Sequence, residues 1–172
     1  MIKNNSEKIR EIFKELNSNT KKSKNTTELK IDSSLETNNP IVVKGLSAII
    51  LLGVEKRASD IHIEPLKNRT RIRYRIDGLL YEEMGFDISL HSSIISRLKI
   101  ISNLDITEKK LPQDGKFRMK IDEKTIDFRV SIVPLITGEK GVIRILDSES
   151  YNFNLENIGL SLEDYNKISN LP

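Results

Sequence analysis

The chain has 172 residues, 37% hydrophobic and 31% charged, with no cysteine. That is enough for one ordinary domain with extensions, and it excludes disulfides and thiolate metal sites. No apolar run approaches the roughly 20 residues a bilayer span needs, and the polar N-terminus lacks the apolar core of a signal peptide, so a cytoplasmic protein with no membrane insertion is expected. The net charge of +3 is local: residues 1–30 hold eight of the 28 Lys/Arg but only four of the 25 Asp/Glu. That segment has one aromatic residue, Phe13. Single-strand binders interleave basic residues with stacking aromatics, so no nucleic-acid partner is expected.

In chain order, residues 5–16 read as a short amphipathic helix with Ile9, Ile12, Phe13 and Leu16 on one stripe. It serves either as a helix docked on its own domain or as a partner-binding arm. Residues 17–39 are rich in Asn, Ser, Thr and Lys and read as a linker. Pro40 sits where a first helical turn tolerates proline, and the helix it opens runs to about Arg57. Val42, Leu46, Ile49, Ile50 and Val54 give that helix a wide apolar face to lay on a sheet.

Asp60–Glu64 alternates polar and apolar residues as a half-buried strand does. Residues 65–68 are a turn, and Arg69–Ile76 is a second strand. Its even positions, Thr70, Ile72, Tyr74 and Ile76, form a core face, and Arg69, Arg71, Arg73 and Arg75 share the other. Apolar faces of paired strands must coincide, so paired residue numbers sum to an odd value. One such register sets Glu64 opposite Arg71, His62 opposite Arg73 and Asp60 opposite Arg75, which neutralises some of the arginines. Glu82 and Glu83 on the next strand can absorb more. Asp60, His62 and Glu64 also share a face as a metal triad would, but neighbouring arginines oppose a cation there, so no metal is expected.

Asp77-Gly78 signals a hairpin into a strand over 79–84. Residues 90–104 read as a second amphipathic helix with Ile94, Ile95, Leu98 and Ile101 inward, and His91, near its start, reads as a surface residue. Residues 109–115 are a loop. Residues 117–121 and 125–133 form a hairpin around Asp122-Glu123-Lys124, 141–146 is the last strand, and 161–171 is a final helix capped by Ser161. The order of helix, three strands, helix, three strands predicts an α+β fold, a PAS-like antiparallel sheet of about six strands with helices packed on one side.

Arg129 lies on the polar face of its strand with Asp127 and Ser131. Arg144 lies between Val142 and Leu146, either with its stem over apolar surface and its head in water, or with its guanidinium aimed at a phosphate or carboxylate across an interface. The chain has no G-x-x-x-x-G-K-[ST] loop, no G-x-G-x-x-G, no G-x-S-x-G elbow and no cysteine nucleophile. It therefore lacks a self-sufficient active site.

The succession ASDIHIEP (58–65), RIRYRIDG (71–78), ISRLKIISNLDITEKKLPQDGKF (95–117), DFRVSIVPLITGEKGVIRIL (127–146) and LENIGLS (155–161) resembles the second N-terminal domain of the type II secretion and type IV pilus assembly ATPases. The resemblance covers residues 39–165. It implies a short helix and linker over 1–38, a PAS-like domain over 39–150, and a linker and helix over 151–172 leading to a RecA-like motor domain absent from this chain. By the same resemblance, the full-length protein is a hexamer that uses ATP and Mg²⁺ beside an inner-membrane platform protein, at the inner face of the cytoplasmic membrane. Arg129 in DFRVS and Arg144 in VIRIL match arginines that approach the terminal phosphates of ATP held by the motor domain. Arg71, Arg73 and Arg75 match a basic surface near the same nucleotide. Asp114 and Gly115 match residues that shape and pack a loop. The chain alone is expected to bind no cofactor tightly and to turn over no ATP. The sequence departs from the family at Lys140-Gly141, where an arginine and a valine are common. The alternative reading is a stand-alone PAS-like module that binds a ligand or a protein.

Overall fold

The computed structural model describes residues 39–146 and, outside them, only Glu11, Ile12, Gly159, Ser161, Asp164, Lys167 and Ile168. The helices expected over 5–16 and 161–171, and the linker over 17–39, lie largely outside the described residues. Ile12 itself packs against the core.

The described elements are helix α1 (Pro40–Glu55), strands β1 (Asp60–Pro65), β2 (Arg69–Ile76) and β3 (Leu79–Asp87), a single 3₁₀ turn (Ile88–Leu90), helix α2 (His91–Ile101), and strands β4 (Gln113–Ile121), β5 (Lys124–Leu135) and β6 (Gly138–Leu146). All six strands form one antiparallel sheet in the order β3-β2-β1-β6-β5-β4. The fold is therefore α+β as expected, with the first and last strands adjacent at its centre.

Each element has a local cause. Pro40 fills the first position of α1, and the Asn39 side chain caps it by accepting a hydrogen bond from Ile41 N at 3.0 Å. Arg57, with φ 53°, turns the chain out of the helix. Asp77 and Gly78 both have positive φ, 49° and 81°, as a two-residue turn between twisted strands requires.

Both helices cover the same face of the sheet. Ile61, Ile63, Ile72, Tyr74, Phe128, Val130, Ile132 and Ile143 from the strands bury against Val42, Leu46, Ile49, Ile50, Ile94, Ile95 and Leu98. The Tyr74 hydroxyl, wholly buried, donates to the Ile49 carbonyl at 3.0 Å and so ties β2 to α1. Among the described residues no helix is long and apolar enough to cross a membrane. Among the described residues the opposite face of the sheet carries no helix, and the charged residues collect there.

Strand ends run further than the sequence pattern indicates. β3 continues to Asp87, β4 begins at Gln113 inside the expected loop, and β6 begins at Gly138. In each case the ladder continues because the neighbouring strand is long enough to pair with it.

His91 corrects an expectation. It is buried, with Nδ1 3.1 Å from the Thr70 hydroxyl and Nε2 2.7 Å from the Glu139 carbonyl oxygen. A neutral ring that donates from Nε2 and accepts at Nδ1 satisfies both contacts. Desolvation pushes its pKa below the ordinary value against the pull of the Glu139 carbonyl and charge. His91 thus joins β2, α2 and β6 rather than facing water.

Candidate functional site

The open face of the sheet is built on β1. Its register against β2 is the expected one: Asp60 opposite Arg75, His62 opposite Arg73 and Glu64 opposite Arg71. On the other side, Asp60 faces Arg144 and His62 faces Val142 of β6. β1 is central, so its polar residues are covered by longer side chains from both flanks. Asp60, His62 and Glu64 are 5%, 9% and 6% exposed.

Glu64 gathers three cations. Arg71 donates from Nε at 3.0 Å, Arg73 donates from Nε and Nη2 at 2.9 and 2.8 Å, and Lys140 Nζ lies 2.9 Å away. Burial alone would raise the carboxyl pKa. The hydrogen bonds from Arg73 and Lys140 outweigh it and bring it down to about 2. Lys140 acts as one wall of this cluster. Arg69 pairs with Glu82 at 2.8 Å, while Glu83 takes Lys56 instead of an arginine.

Asp60 forms a second centre. Its carboxylate accepts from Arg144 Nε at 2.9 Å and from the Ser59 hydroxyl at 2.9 Å, and lies 3.3 Å from Arg75 Nε. Burial raises its pKa, but the bonds from Arg144 and Ser59 prevail and hold it below the usual carboxylate value. His62 lies between the two centres. Burial, then the charge of Lys140, depress its pKa, so it is neutral at pH 7. Asp60 and Glu64 turn their carboxylates to arginines, and among the described residues no three His, Asp or Glu side chains are placed to share a metal ion.

The cross-strand register then places one row of charge across five strands. Arg75, Asp60, Arg144, Arg129 and Lys116 are successive partners on β2, β1, β6, β5 and β4. Four cations meet one carboxylate in this row. Like charges directly opposite each other destabilise a sheet. Arg144, Arg129 and Lys116 are nonetheless adjacent, and among the described residues the Arg129 and Lys116 side chains make no hydrogen bond or ion pair, although the Lys116 charge acts on the Asp127 carboxylate. Arg144 is 65% exposed despite its bond to Asp60. Beside Lys116 and Arg129 a groove of about 530 Å³ is lined by Lys116, Phe117, Arg118, Asp127, Phe128, Arg129 and Leu146. Arg118 is neutralised by Asp127 through Nε at 2.7 Å. Arg144 and Arg129, assigned a role by resemblance, are therefore direct cross-strand neighbours, and Arg129 lines the groove. Arg71 and Arg73 are held a row or more away by Glu64, and Arg75 joins the row through Asp60.

Lys116 was missed by sequence reasoning. The two-residue turn at Asp122-Glu123, shorter than the expected Asp122-Glu123-Lys124, fixes the β4–β5 register and sets Lys116 opposite Arg129, a pairing that strand parity reaches only with that turn length. Asp114 and Gly115 lie in β4 rather than in a loop. Asp114 accepts a hydrogen bond from the Ser131 hydroxyl, and a side chain at Gly115 would meet the Ser102 carbonyl oxygen at 2.6 Å, so this glycine lets the 102–112 connection close on the strand.

The family model described as "Type II/IV secretion system protein" matches residues 35–171. Among curated proteins, the chain is 44% identical over 123 residues to the type IV pilus assembly ATPase PilB of Myxococcus xanthus, an overlap of 71% of this chain and 22% of that protein. It is 43% identical over 124 residues to the type II secretion system protein E of Xanthomonas campestris (72% and 22%) and 40% identical over 130 residues to the putative type II secretion system protein E of Escherichia coli (76% and 26%). The chain thus spans about a quarter of the length of the relatives it matches.

Proposed function

This chain belongs to the Type II/IV secretion system protein family, and from that premise we propose that it is the N-terminal domain of a hexameric ATPase that powers type IV pilus assembly or type II secretion. Its part is to present Arg129 and Arg144 to the phosphates of ATP bound by a RecA-like motor domain. ATP and Mg²⁺ are held by that motor domain, because this chain has no phosphate loop. The assembly works at the inner face of the cytoplasmic membrane against a platform protein, and this domain alone neither holds nucleotide tightly nor hydrolyses it.

The observation that carries the reading is the row Lys116–Arg129–Arg144 on one sheet face, where the Arg129 side chain has no partner among the described residues and Arg144 stays mostly in solvent despite its bond to Asp60. In a purely structural account each guanidinium would meet a carboxylate of its own chain. That describes Arg71, Arg73, Arg75 and Arg144 but, among the described residues, leaves Arg129 unexplained. A transferring phosphoryl group spreads negative charge over its oxygens, and guanidinium groups already fixed at that place stabilise it without reorganising. Because the arginines are on this domain and the phosphate loop is elsewhere, approach of the two domains would complete the site. Arg71 and Arg73 add positive potential behind the row while remaining bound to Glu64.

The test is steady-state ATP turnover of the full-length protein carrying Arg129→Ala or Arg144→Ala. Each is expected to lower kcat by about 10²–10³-fold while the domain stays folded. Near-normal turnover in both would overturn the reading.

A further inference from the structure

Arg144 has a long side chain, mostly in solvent, at the centre of the cationic row. Its neighbour Arg129 has no anchor among the described residues. Arg144 has one. The carboxylate that accepts its Nε is almost wholly buried and is fixed from several directions. The Ser59 hydroxyl donates to Asp60 Oδ2 at 2.9 Å, and Arg75 Nε lies 3.3 Å from the same oxygen, leaving Oδ1 for Arg144. The backbone beneath is bonded on both sides, by Ser59 N to the Arg75 carbonyl at 2.8 Å and by Ile145 N to the Ser59 carbonyl at 3.0 Å.

We propose that Asp60 is a positioning residue for Arg144: it holds the inner nitrogen of the guanidinium so that the outer edge faces an arriving anion in one orientation. The inference rests on the reading that Arg144 meets a phosphate. Glu64 supplies the contrast. It binds three cations, and its two arginine side chains are only 28% and 25% exposed, so it commits them to the protein. Asp60 commits one nitrogen of Arg144 and leaves 65% of that side chain in solvent. A charge aimed in advance adds more to a transition state than one that must be ordered during the reaction.

The experiment is a double-mutant cycle on the full-length ATPase, with Asp60→Ala, Arg144→Ala and the double variant. The readouts are kcat and KM for ATP, with the urea midpoint of each variant measured alongside. Asp60→Ala is expected to lower kcat about tenfold with little change in KM, and the double variant to be no slower than Arg144→Ala alone, because Asp60 acts through Arg144. If the two losses multiply, Asp60 acts by another route and the proposal fails. If Asp60→Ala turns over normally while Arg144→Ala is crippled, the positioning role fails and the phosphate role stands. If Arg144→Ala itself is normal, the premise that Arg144 meets a phosphate fails, and this proposal with it. Should Asp60→Ala not fold, Asp60→Asn keeps an acceptor for Arg144 Nε, and it is expected to show a smaller loss that again disappears in the Arg144→Ala background.

Discussion

Replacing Glu64 with glutamine tests the electrostatics of the open face in quantitative terms. The carboxyl pKa falls from 4.5 to about 2 on folding, a difference of about 3 kcal/mol in favour of the ionised folded state. An independent route gives a similar figure. Removing one partner from a buried ion pair costs about 3–5 kcal/mol, and the lower end applies because the cations around Glu64 retain about a quarter of their exposure. Glu64→Gln should therefore destabilise the chain by about 3 kcal/mol at pH 7. With a urea slope of about 2 kcal/mol/M, the midpoint falls by about 1.5 M. The sign of the pH dependence follows from a depressed pKa: the contribution is complete above about pH 4.5 and is lost as the pH falls towards 2. Urea titrations of both proteins, followed by circular dichroism from pH 7 to pH 2, should show two stabilities that converge in that window. A variant within about 1 kcal/mol of the parent at pH 7, or a gap that persists at pH 2, would refute the reasoning.

Other perturbations test other parts of the structure. Arg129→Ala removes a cation that has like charges on both sides, so its unfolding free energy should stay within about 0.5 kcal/mol of the parent or rise; a loss above about 1 kcal/mol would show that Arg129 has a structural partner. Gly115→Ala sets a methyl group 2.6 Å from the Ser102 carbonyl oxygen, and should cost about 1–3 kcal/mol by urea denaturation. Tyr74→Phe removes the buried hydrogen bond to the Ile49 carbonyl and should cost about 1 kcal/mol, with no change in the pH dependence assigned to Glu64.

Much of the charged face was legible from residue parity. The alternation Asp60-Ile61-His62-Ile63-Glu64 against Arg71–Arg75, with the requirement that apolar faces coincide, leaves few registers, and the structure adopts the one that sets both carboxylates opposite arginines. Which arginines a carboxylate captures was not legible, because that depends on strands distant in sequence. Lys140 and Arg144 reach Glu64 and Asp60 only because β6 lies beside β1. The same limit explains His91. Its partners Thr70 and Glu139 are 21 and 48 residues away, and nothing near it in sequence announces a buried ring. Lys99 is a further case: an ammonium 1% exposed on α2, donating to the Glu108 carbonyl at 2.5 Å and ion-paired with the Glu139 carboxylate at 2.6 Å. In each case local pattern sets which face a side chain occupies, and tertiary neighbours decide what that side chain does.

The most direct measurement is the structure of the full-length protein with a non-hydrolysable ATP analogue and Mg²⁺, read for the distance from the terminal phosphate oxygens to the guanidinium nitrogens of Arg129 and Arg144. At least one of them is expected within hydrogen-bonding reach, below about 3.5 Å, in nucleotide-bound subunits, with Asp60 still bound to Arg144 Nε. Both guanidinium groups standing about 10 Å or more from the phosphates in every subunit would contradict it.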